Sequence, residues 1–472
     1  MIHFTSCFCA LLLARFAFTA PAPPGSSSGT LSASTSPSAS VSVSQSVSMS
    51  ASGSGEPVSS SAPTSTADAP ASTATFPTID LEPNNPLWNE NSGTPAPIRG
   101  TLGSVLLGPD NLPIDKQNPD LLAPPTTDHG SIANAKWPFS LSHNRLQDGG
   151  WARQENVNVM PIATQMSSVN MRLEAGAVRE LHWHKTAEWA YVLKGRVQVT
   201  AIDPQGKNYV ATVDEGDLWY FPAGIPHSLQ ATDDNKEGAE FVLVFDTGTF
   251  SEDSTFLLTD WLAHIPAEVI AKNFGTDIQT WANVPEEELY IFPATLPEAD
   301  DQAPKSPQGV VDNPYSFAFS KVKENKLAGG SVKVVDSSTF KISKTIAAAE
   351  VTVEPGAMRE LHWHPTEDEW SLFLEGTGRV TIFAAQSNAR TFDYQAGDIG
   401  YVPGSMGHYV ENTGNTTLRF LEIFRSEKYE DVSLMQWLAL IPAQLVKSHL
   451  GLSDKALADL KKEKQTVVAP VH

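Results

Sequence analysis

Two sets of histidines and glutamates carry residue types and spacings suited to binding a metal ion. In the first set, His182 and His184 form a His-x-His pair, Glu188 follows four residues later, and His227 lies further along the chain. The second set has the same order: His362, His364, Glu369 and His408. Residues i and i+2 of a strand point to the same face, so each pair offers two neighbouring imidazoles. Three imidazole nitrogens and one carboxylate oxygen leave two open positions on an octahedral ion, and these ligands would suit Mn, Fe, Co, Ni or Zn.

The segments around these residues are also repeated, which indicates duplication of one domain of about 180 residues. RELHWH occurs at 179–184 and again at 359–364. Between the motifs lie short stretches rich in aromatic and β-branched residues, such as 188–202 and 419–424, separated by Gly, Pro and Asp. This pattern is typical of a β-sandwich or a small barrel.

Helical segments are predicted at the end of each repeat. The predicted segments are 258–273 in the first repeat and 433–449 in the second. Each contains a proline, Pro266 or Pro442, which should divide the segment into two short helices. A last helix is predicted to begin after the N-cap residue Ser453 and to continue to about residue 464.

The first 84 residues differ in composition from the rest of the chain. Residues 1–20 contain a short apolar run that ends in small residues at Ala20, which predicts a secretory signal. Residues 26–75 contain 26 Ser or Thr among 50 positions. Such a segment buries too little apolar surface to offset its ordering entropy, so 21–84 is predicted to be a disordered, O-glycosylated extension. The folded region is then divided into domains at 85–275 and 276–465.

Charge and cysteine content exclude several functions. The formal net charge of −22 would repel both nucleic-acid backbones and anionic membrane surfaces. Cys7 and Cys9 are the only cysteines, so removal of the signal excludes disulfides, thiolate metal sites and cysteine nucleophiles. We therefore predict a secreted protein, in the medium or at the cell wall. The sequon at Asn415 predicts a glycoprotein.

The motifs resemble those of bicupins and, more narrowly, the oxalate decarboxylase family. The first cupin motif reads Gly176-x5-His182-x-His184-x3-Glu188-x6-Gly195 and Gly356-x5-His362-x-His364-x4-Glu369-x6-Gly376. The second reads Gly216-x5-Pro222-x-Gly224-x2-His227 and Gly397-x5-Pro403-x4-His408-x3-Asn412. The resemblance covers roughly 95–455. It implies an all-β fold of two tandem cupin barrels (double-stranded β-helices, or jelly rolls) with short helices closing each unit.

The resemblance also implies an activity and a set of catalytic residues. Two manganese ions per chain and dioxygen would remove an electron and a proton from oxalate, so that carbon dioxide leaves and formate is formed. Arg179 and Arg359 would bind and polarise the substrate carboxylate. On a regular strand, Arg179 would face away from His182, so a bulge or turn is needed to bring it into the site. The segment SEDST at 251–255 resembles the family's mobile lid, whose proton donor would be Glu252, although Asp253 stands where the family usually has Asn.

The second repeat lacks such a lid sequence. There Glu422 alternates with Phe420 and Phe424 on an apolar strand, and a buried acid in that position is costly without a purpose. We therefore predict that Glu422 is the acid of a second, lesser site, with the main decarboxylation in the first repeat.

Two alternatives remain open at this stage, an oxalate oxidase that forms hydrogen peroxide and a storage or binding bicupin without catalysis. The resemblance also implies a homo-oligomer, such as a hexamer. The excess of acidic residues would repel an anionic substrate, and this predicts an acidic working pH.

Overall fold

The computed structural model describes residues 108–470 apart from 110, 123, 126 and 233–235. Most described residues belong to strands or to the turns between them, which confirms the predicted all-β fold. The predicted signal at 1–20 and the predicted extension at 21–84 lie outside the described residues. No helix within the described part of the chain has the length and apolar character needed to cross a membrane.

The strands of the two repeats follow one another in the same order. The first fourteen are β1 Lys136–Pro138, β2 Asn144–Gln147, β3 Gly150–Glu155, β4 Ser167–Leu173, β5 Val178–Trp183, β6 Glu188–Lys194, β7 Val197–Ile202, β8 Asn208–Val213, β9 Leu218–Phe221, β10 His227–Ala231, β11 Ala239–Phe245, β12 Phe256–Leu257, β13 Ile291–Phe292 and β14 Ser316–Phe317. The remainder are β15 Asn325–Leu327, β16 Gly330–Val335, β17 Ala347–Val353, β18 Met358–Trp363, β19 Glu369–Glu375, β20 Thr377–Ala384, β21 Asn388–Gln395, β22 Asp398–Val402, β23 Gly407–Asn412, β24 Leu418–Phe424, β25 Val432–Ser433 and β26 Val467–Val468.

Each repeat folds into two antiparallel sheets. In the first barrel, one sheet has the order β14-β9-β6-β11-β4-β3-β2 and the other has the order β12-β5-β10-β7-β8, with β13 also paired to β5. The second barrel repeats this arrangement as β1-β22-β19-β24-β17-β16-β15 and β21-β20-β23-β18-β25, with β26 paired to β18. From β4 to β7 and from β8 to β12, successive strands of the first barrel alternate between its two sheets, as in a jelly roll.

The two barrels exchange edge strands. β1 precedes the first barrel in sequence but pairs with β22 of the second, where Trp137 lies opposite Ile399. β14, in turn, pairs with β9 of the first barrel. Strands from either side of the predicted boundary at 275 and 276 therefore complete the other barrel, and that boundary stays a prediction.

Three apolar clusters hold the structure together. One fills the first barrel and another fills the second. The third lies between the barrels and includes Trp189 and Val244 of the first repeat with Trp370 and Ile423 of the second. Strands such as β6 and β11 contribute to both the interior and the inter-barrel cluster. They are buried on both faces, which explains their nearly continuous apolar sequences.

The motif glycines Gly195 and Gly376 make the tight turns after β6 and β19. Both have positive φ, at 74° and 77°. A Cβ atom on Gly195 would lie 2.3 Å from the carbonyl oxygen of Gly238, and one on Gly376 would lie 2.6 Å from that of Thr417. A larger residue at either turn would therefore combine backbone strain with a steric clash.

The helices mostly follow the prediction. Their bounds are α1 Leu112–Gln117, α2 Pro119–Leu122, α3 Leu258–Ala263, α4 Ala267–Phe274, α5 Leu434–Leu440, α6 Ala443–Leu450 and α7 Asp454–Ala458. Pro266 and Pro442 do divide the two closing segments into helix pairs.

The prediction for the last helix was right about its start and wrong about its length. The Ser453 side chain accepts a hydrogen bond from the Ala456 N–H, as expected of an N-cap. The helix ends at Ala458 because the following chain makes other contacts. Lys464 Nζ donates to the Asp431 backbone carbonyl, and β26 then pairs with β18.

A buried carboxyl group, Glu155, lies where the two barrels meet. It is fully buried, and its Oε2 accepts hydrogen bonds from Trp370 Nε1 of the second barrel and from Ser168 Oγ, both at 3.1 Å. Its Oε1 has no hydrogen-bond partner among the described residues. Burial raises the pKa of Glu155 to about 7, more than these two hydrogen bonds lower it.

The raised pKa of Glu155 predicts that the contact between the barrels is more stable at acidic pH than at alkaline pH. Because the folded-state pKa is raised, the contribution of Glu155 is fully present below its unfolded-state pKa of 4.5 and is lost as pH rises through about 7. Between pH 5 and pH 8, the free energy of unfolding of the wild type should fall by on the order of 2 kcal/mol because of Glu155, and Glu155→Gln should abolish this fall. Denaturant unfolding at both pH values measures this. The exposed Glu215→Gln variant is the control, and an equal pH dependence of the Glu155→Gln and wild-type proteins would contradict the assignment.

Candidate metal centres

A one-residue bulge in β5 brings Arg179 and the histidines to the same face. His182 lies opposite His227 of β10, whereas Arg179 lies opposite Leu229, so β5 has one residue more than β10 over this interval. The extra residue reverses the usual alternation between the faces of a strand. The second barrel has the same bulge between Arg359 and His362 of β18. The irregularity that the sequence required for Arg179 is therefore present in both repeats.

In the first barrel, the backbone fixes the orientation and tautomer of three buried imidazoles. The Nδ1 atoms of His182, His184 and His227 lie 2.5, 2.8 and 2.7 Å from the carbonyl oxygens of Glu180, Thr186 and Ile225. A carbonyl oxygen only accepts, so each Nδ1 carries the proton. Each Nε2 then presents a lone pair, which is the arrangement expected of metal ligands.

Glu188 completes this group. Its Oε2 lies 3.2 Å from His184 Nε2 and 3.4 Å from His227 Nε2, while its Oε1 accepts a hydrogen bond from Trp219 Nε1 at 2.8 Å. Burial would raise the pKa of Glu188, but His227 and His184 outweigh it and lower that pKa well below its usual value. Burial, together with the nearby Arg179, holds the pKa of His182 well below its usual value. The group thus favours a carboxylate at Glu188 beside a neutral imidazole at His182.

The second barrel contains the same arrangement. The Nδ1 atoms of His362, His364 and His408 lie 2.6, 2.8 and 3.0 Å from backbone carbonyl oxygens. Glu369 Oε2 lies 3.0 Å from the Nε2 atoms of both His364 and His408, and its Oε1 accepts from Ser371 Oγ at 2.5 Å. Burial lowers the pKa of His364, but the adjacent Glu369 carboxylate outweighs it and raises that pKa.

Both groups fit a divalent metal ion. One donor atom from each of the four residues lies within 4.8 Å of the others in each barrel, and all eight residues are buried. Within the part of the chain that the structure describes, His227 Nε2 and His362 Nε2 are buried without a hydrogen-bond partner, although both face their sites. Buried lone pairs of this kind call for a cation. The eight predicted ligands therefore form two complete metal centres.

Beside the first centre, Arg179 and Glu252 form a buried ion pair. Arg179 Nη2 donates to Glu252 Oε2 at 2.9 Å, and the side chains are 1% and 8% exposed. Glu252 begins a short 3₁₀ helix, Glu252–Ser254, which Ser251 caps. Phe250 precedes this helix and packs against the His184 ring, with the ring centroids 5.7 Å apart. The segment predicted to be a lid thus lies beside the first centre, with the Glu252 side chain turned inward against Arg179.

Tyr290, which the sequence did not indicate, also holds Glu252. The Tyr290 hydroxyl donates to Glu252 Oε2 at 2.7 Å, and Arg179 lies 4.2 Å from the centroid of its ring. Burial and the Glu252 carboxylate raise the pKa of Tyr290 well above its usual value, so its proton remains available for this bond. Tyr290 lies in the segment between the repeats, where no motif or repeated spacing marks it.

Glu180, the second residue of RELHWH, positions Tyr290. One Glu180 oxygen accepts from the N–H and the hydroxyl of Thr259, and the other accepts from the N–H groups of Leu289 and Tyr290. These bonds hold Tyr290 at a φ of 58°, which is unfavourable for a bulky residue. The presence of this glutamate in both RELHWH copies was the signal that could have indicated its role.

Arg359 of the second barrel has a different environment. Its Nε donates to Glu422 Oε1 at 3.0 Å, and its Nη2 donates to Asp431 Oδ2 at 2.7 Å and to the Tyr429 hydroxyl at 3.0 Å. Burial alone would lower the pKa of Arg359, but these partners, first Glu422, raise it well above its usual value. The Arg359 guanidinium, which was predicted to bind substrate, is thus already paired with two buried carboxylates. Asp431 and Tyr429 were not foreseen.

Comparisons with known proteins agree with this geometry. A family model described as Cupin matches residues 141–281 and 317–457. The chain is 54% identical over 375 residues to oxalate decarboxylase OxdC of Bacillus subtilis, covering 79% of this chain and 97% of that protein. It is 38% identical to a probable oxalate decarboxylase of Arthroderma benhamiae, over 78% of this chain and 91% of that protein. A solved Bacillus subtilis oxalate decarboxylase structure, studied for its Mn(II) centres, superposes with a TM-score of 0.78 at 53% identity and covers 80% of this chain and 100% of that chain.

Separate ligand variants should remove the two metals one at a time. His182→Ala should lower the metal content from two ions per chain to one, and His362→Ala should do the same at the other centre, because each centre has its own four ligands. Elemental analysis of the purified proteins measures this, with His264→Ala, an exposed histidine outside both centres, as the control. Loss of both metals in either single variant would contradict independent centres.

Proposed function

Because the chain belongs to the oxalate decarboxylase family of two-domain cupins, we propose that its first centre converts oxalate to formate and carbon dioxide. The observation that carries this proposal is the buried Arg179–Glu252 pair beside a complete set of metal ligands. Arg179, a cation that could bind an anionic substrate, is thus in contact with Glu252, an acid that could protonate the product. The extended similarity to proteins named oxalate decarboxylases supports the same chemistry.

We propose manganese at both centres and dioxygen as the second cofactor. Three imidazoles and a carboxylate suit manganese among other ions, and the similar Bacillus structure was studied for its Mn(II) centres. In the first centre the ligands would be His182, His184, Glu188 and His227. Manganese with dioxygen would supply the reversible removal of one electron that weakens the carbon–carbon bond of oxalate.

Arg179 would bind and polarise one oxalate carboxylate. In the structure, its Nη2 donates to Glu252, so an incoming oxalate monoanion would compete for this donor and release Glu252 from the ion pair. The overall reaction turns one hydrogen oxalate ion into one formate ion and one carbon dioxide molecule, with no net oxidation. The proton removed from oxalate therefore has to return to carbon before the second carbon atom is oxidised.

Glu252 would deliver that proton. The group is buried, lies on a short polar segment, and accepts a hydrogen bond from the Tyr290 hydroxyl, which would still hold it once Arg179 had turned to substrate. A proton donor in this position favours formate over the oxidase reaction, which yields two carbon dioxide molecules and hydrogen peroxide and needs no proton on carbon. The oxidase alternative is therefore not favoured. A storage or binding role is opposed by the two complete centres.

Glu252→Gln should lower the rate of formate production by about 10² to 10⁴, because an amide cannot donate the proton that the carboxyl group supplies. Metal content should be unchanged, and hydrogen peroxide should become a larger share of the product. Formate and peroxide are measured together on the manganese-loaded protein with oxalate in air, from pH 4 to pH 8. A formate rate in Glu252→Gln equal to that of the wild type would remove Glu252 from the mechanism.

The same assay tests the working pH. A wild-type rate that is highest at alkaline pH would contradict the expected acidic working pH.

The second centre provides the matched control. Glu422 is fully buried between Arg359 and the ligand set, and burial raises its pKa more than Arg359 lowers it. We propose that this centre is mainly structural, because Arg359 is held by Glu422 and Asp431 rather than left for substrate. The predicted catalytic roles of Glu422 and Arg359 stay predictions.

Glu422→Gln should change formate production per folded molecule less than about tenfold while lowering the melting temperature, because the amide leaves the buried Arg359 guanidinium with one carboxylate partner, Asp431, in place of two. Calorimetry and the formate assay on the same preparation test this. A loss of formate as large as that of Glu252→Gln would instead assign catalysis to both centres.

We further propose that the protein acts outside the cell as a homo-oligomer. Secretion is supported by the signal-like residues 1–20 and by the exposed sequon residue Asn415 between β23 and β24. Self-association is supported by apolar residues that are about half exposed at equivalent places in both repeats: Leu181 with Leu361, and Trp261 with Trp437.

A further inference from the structure

We propose that Arg145 is a positioning residue that holds the lid, residues 251–255, closed over the first centre. Arg145 lies on β2, outside the metal ligands and outside every motif of the sequence. Its guanidinium contacts three groups: Glu288 through Nη2, Asp253 of the lid through Nη1 at 3.6 Å, and the ring of Tyr290 at 3.6 Å from the centroid. The inference deepens the proposed function and rests on it for the choice of Glu252 as proton donor and for the opening of the lid during turnover.

The Tyr290 ring links this arginine to the proton donor. Arg145 lies 3.6 Å and Arg179 lies 4.2 Å from the ring centroid, and the hydroxyl of the same ring donates to Glu252. The guanidinium that contacts the lid therefore also packs on the residue that orients the lid's acid. Such cation–π contacts favour one ring position while leaving the hydroxyl bond intact.

The contact with Asp253 has the strength expected of a latch that opens during every turnover. The Asp253 side chain is 86% exposed and that of Arg145 is 29% exposed, so water and salt screen the pair. An exposed pair of this kind shifts an equilibrium by no more than about fivefold. A lid that admits oxalate and releases formate needs a contact of this size, since a buried ion pair would keep it shut.

A second contact on the lid carries no charge and so serves as an internal reference. Gln154 accepts a hydrogen bond from the Glu252 N–H through Oε1 at 3.0 Å, and its Nε2 donates to Ser251 Oγ at 3.5 Å. Salt should weaken the Arg145–Asp253 contact but not the Gln154 contacts. Asp253→Asn removes the ionic contact alone, because Arg145 keeps Glu288 and Tyr290 as partners.

Amide hydrogen exchange of the segment 251–255, measured by mass spectrometry on the metal-loaded full chain without oxalate, tests the latch directly. Asp253→Asn should speed exchange by up to about fivefold at low salt. Sodium chloride should speed exchange of the wild type toward the rate of the variant and leave the variant unchanged. Lys194→Gln, which removes an exposed ion pair elsewhere on the barrel, is the control and should exchange as the wild type does. Equal exchange of the wild type and Asp253→Asn at every salt concentration would overturn the proposal.

Product analysis then connects the latch to the reaction. Arg145→Gln should raise the peroxide-to-formate ratio, because an open lid withdraws Glu252 and admits solvent to the reacting carbon. Arg145→Lys should restore the salt-dependent protection of the segment, since it keeps the charge. An unchanged ratio in Arg145→Gln, with faster exchange of the lid, would contradict the positioning role. Exchange needs no turnover, so absence of formate from the wild type would refute the proposed function and leave the latch test intact.

Discussion

The extra residue in β5 and in β18 is the constraint on which both sites depend. In a regular strand, an arginine three residues before a ligand histidine faces the opposite side of the sheet. The bulge turns Arg179 toward His182. At the same time it directs Glu180 away from the site, where its carboxylate accepts hydrogen bonds from the N–H groups of Leu289 and Tyr290. One backbone irregularity therefore places the cation of the site and, through Glu180, the tyrosine that holds the acid.

The two repeats share this scaffold and differ in the partners of the arginine. Arg179 is paired with the carboxylate of Glu252, which belongs to a short surface segment. Arg359 is paired with two carboxylates, Glu422 on a central strand and Asp431, and a strand cannot withdraw from its sheet. Duplication thus supplied two centres with the same ligand types, while the position of the acid, on a surface segment or on a central strand, distinguishes one from the other.

Features that repeat along the chain or have a regular period could be predicted from the sequence. The eight ligands, the barrels and the paired closing helices recur at matching positions, so each copy supported the other. Tyr290 and Gln154 have no matching residue in the second repeat, and the counterpart of Arg145 at a spacing of 181 is Lys326, a match that does not link either residue to the lid. Their roles could not be predicted because their positions depend on how a linker, β3 and β2 converge in three dimensions. The last helix was overestimated for a related reason: contacts of Lys464 and pairing of β26 with β18 end a segment whose local sequence favours helix.

The acidic composition of the chain and its buried acids both favour acidic pH. A chain of net charge −22 repels oxalate at neutral pH, and at acidic pH partial protonation of surface carboxylates weakens that field while oxalate becomes a monoanion. Burial raises the pKa of Glu155, between the barrels, and of Asp120, on α2, to about 7. Both groups are therefore neutral in the folded protein under acidic conditions and contribute stability that is lost as pH rises through about 7. Arg179 and a bound metal ion would then act in a weaker opposing field, so acidic pH would favour binding of the proposed substrate as well as folding.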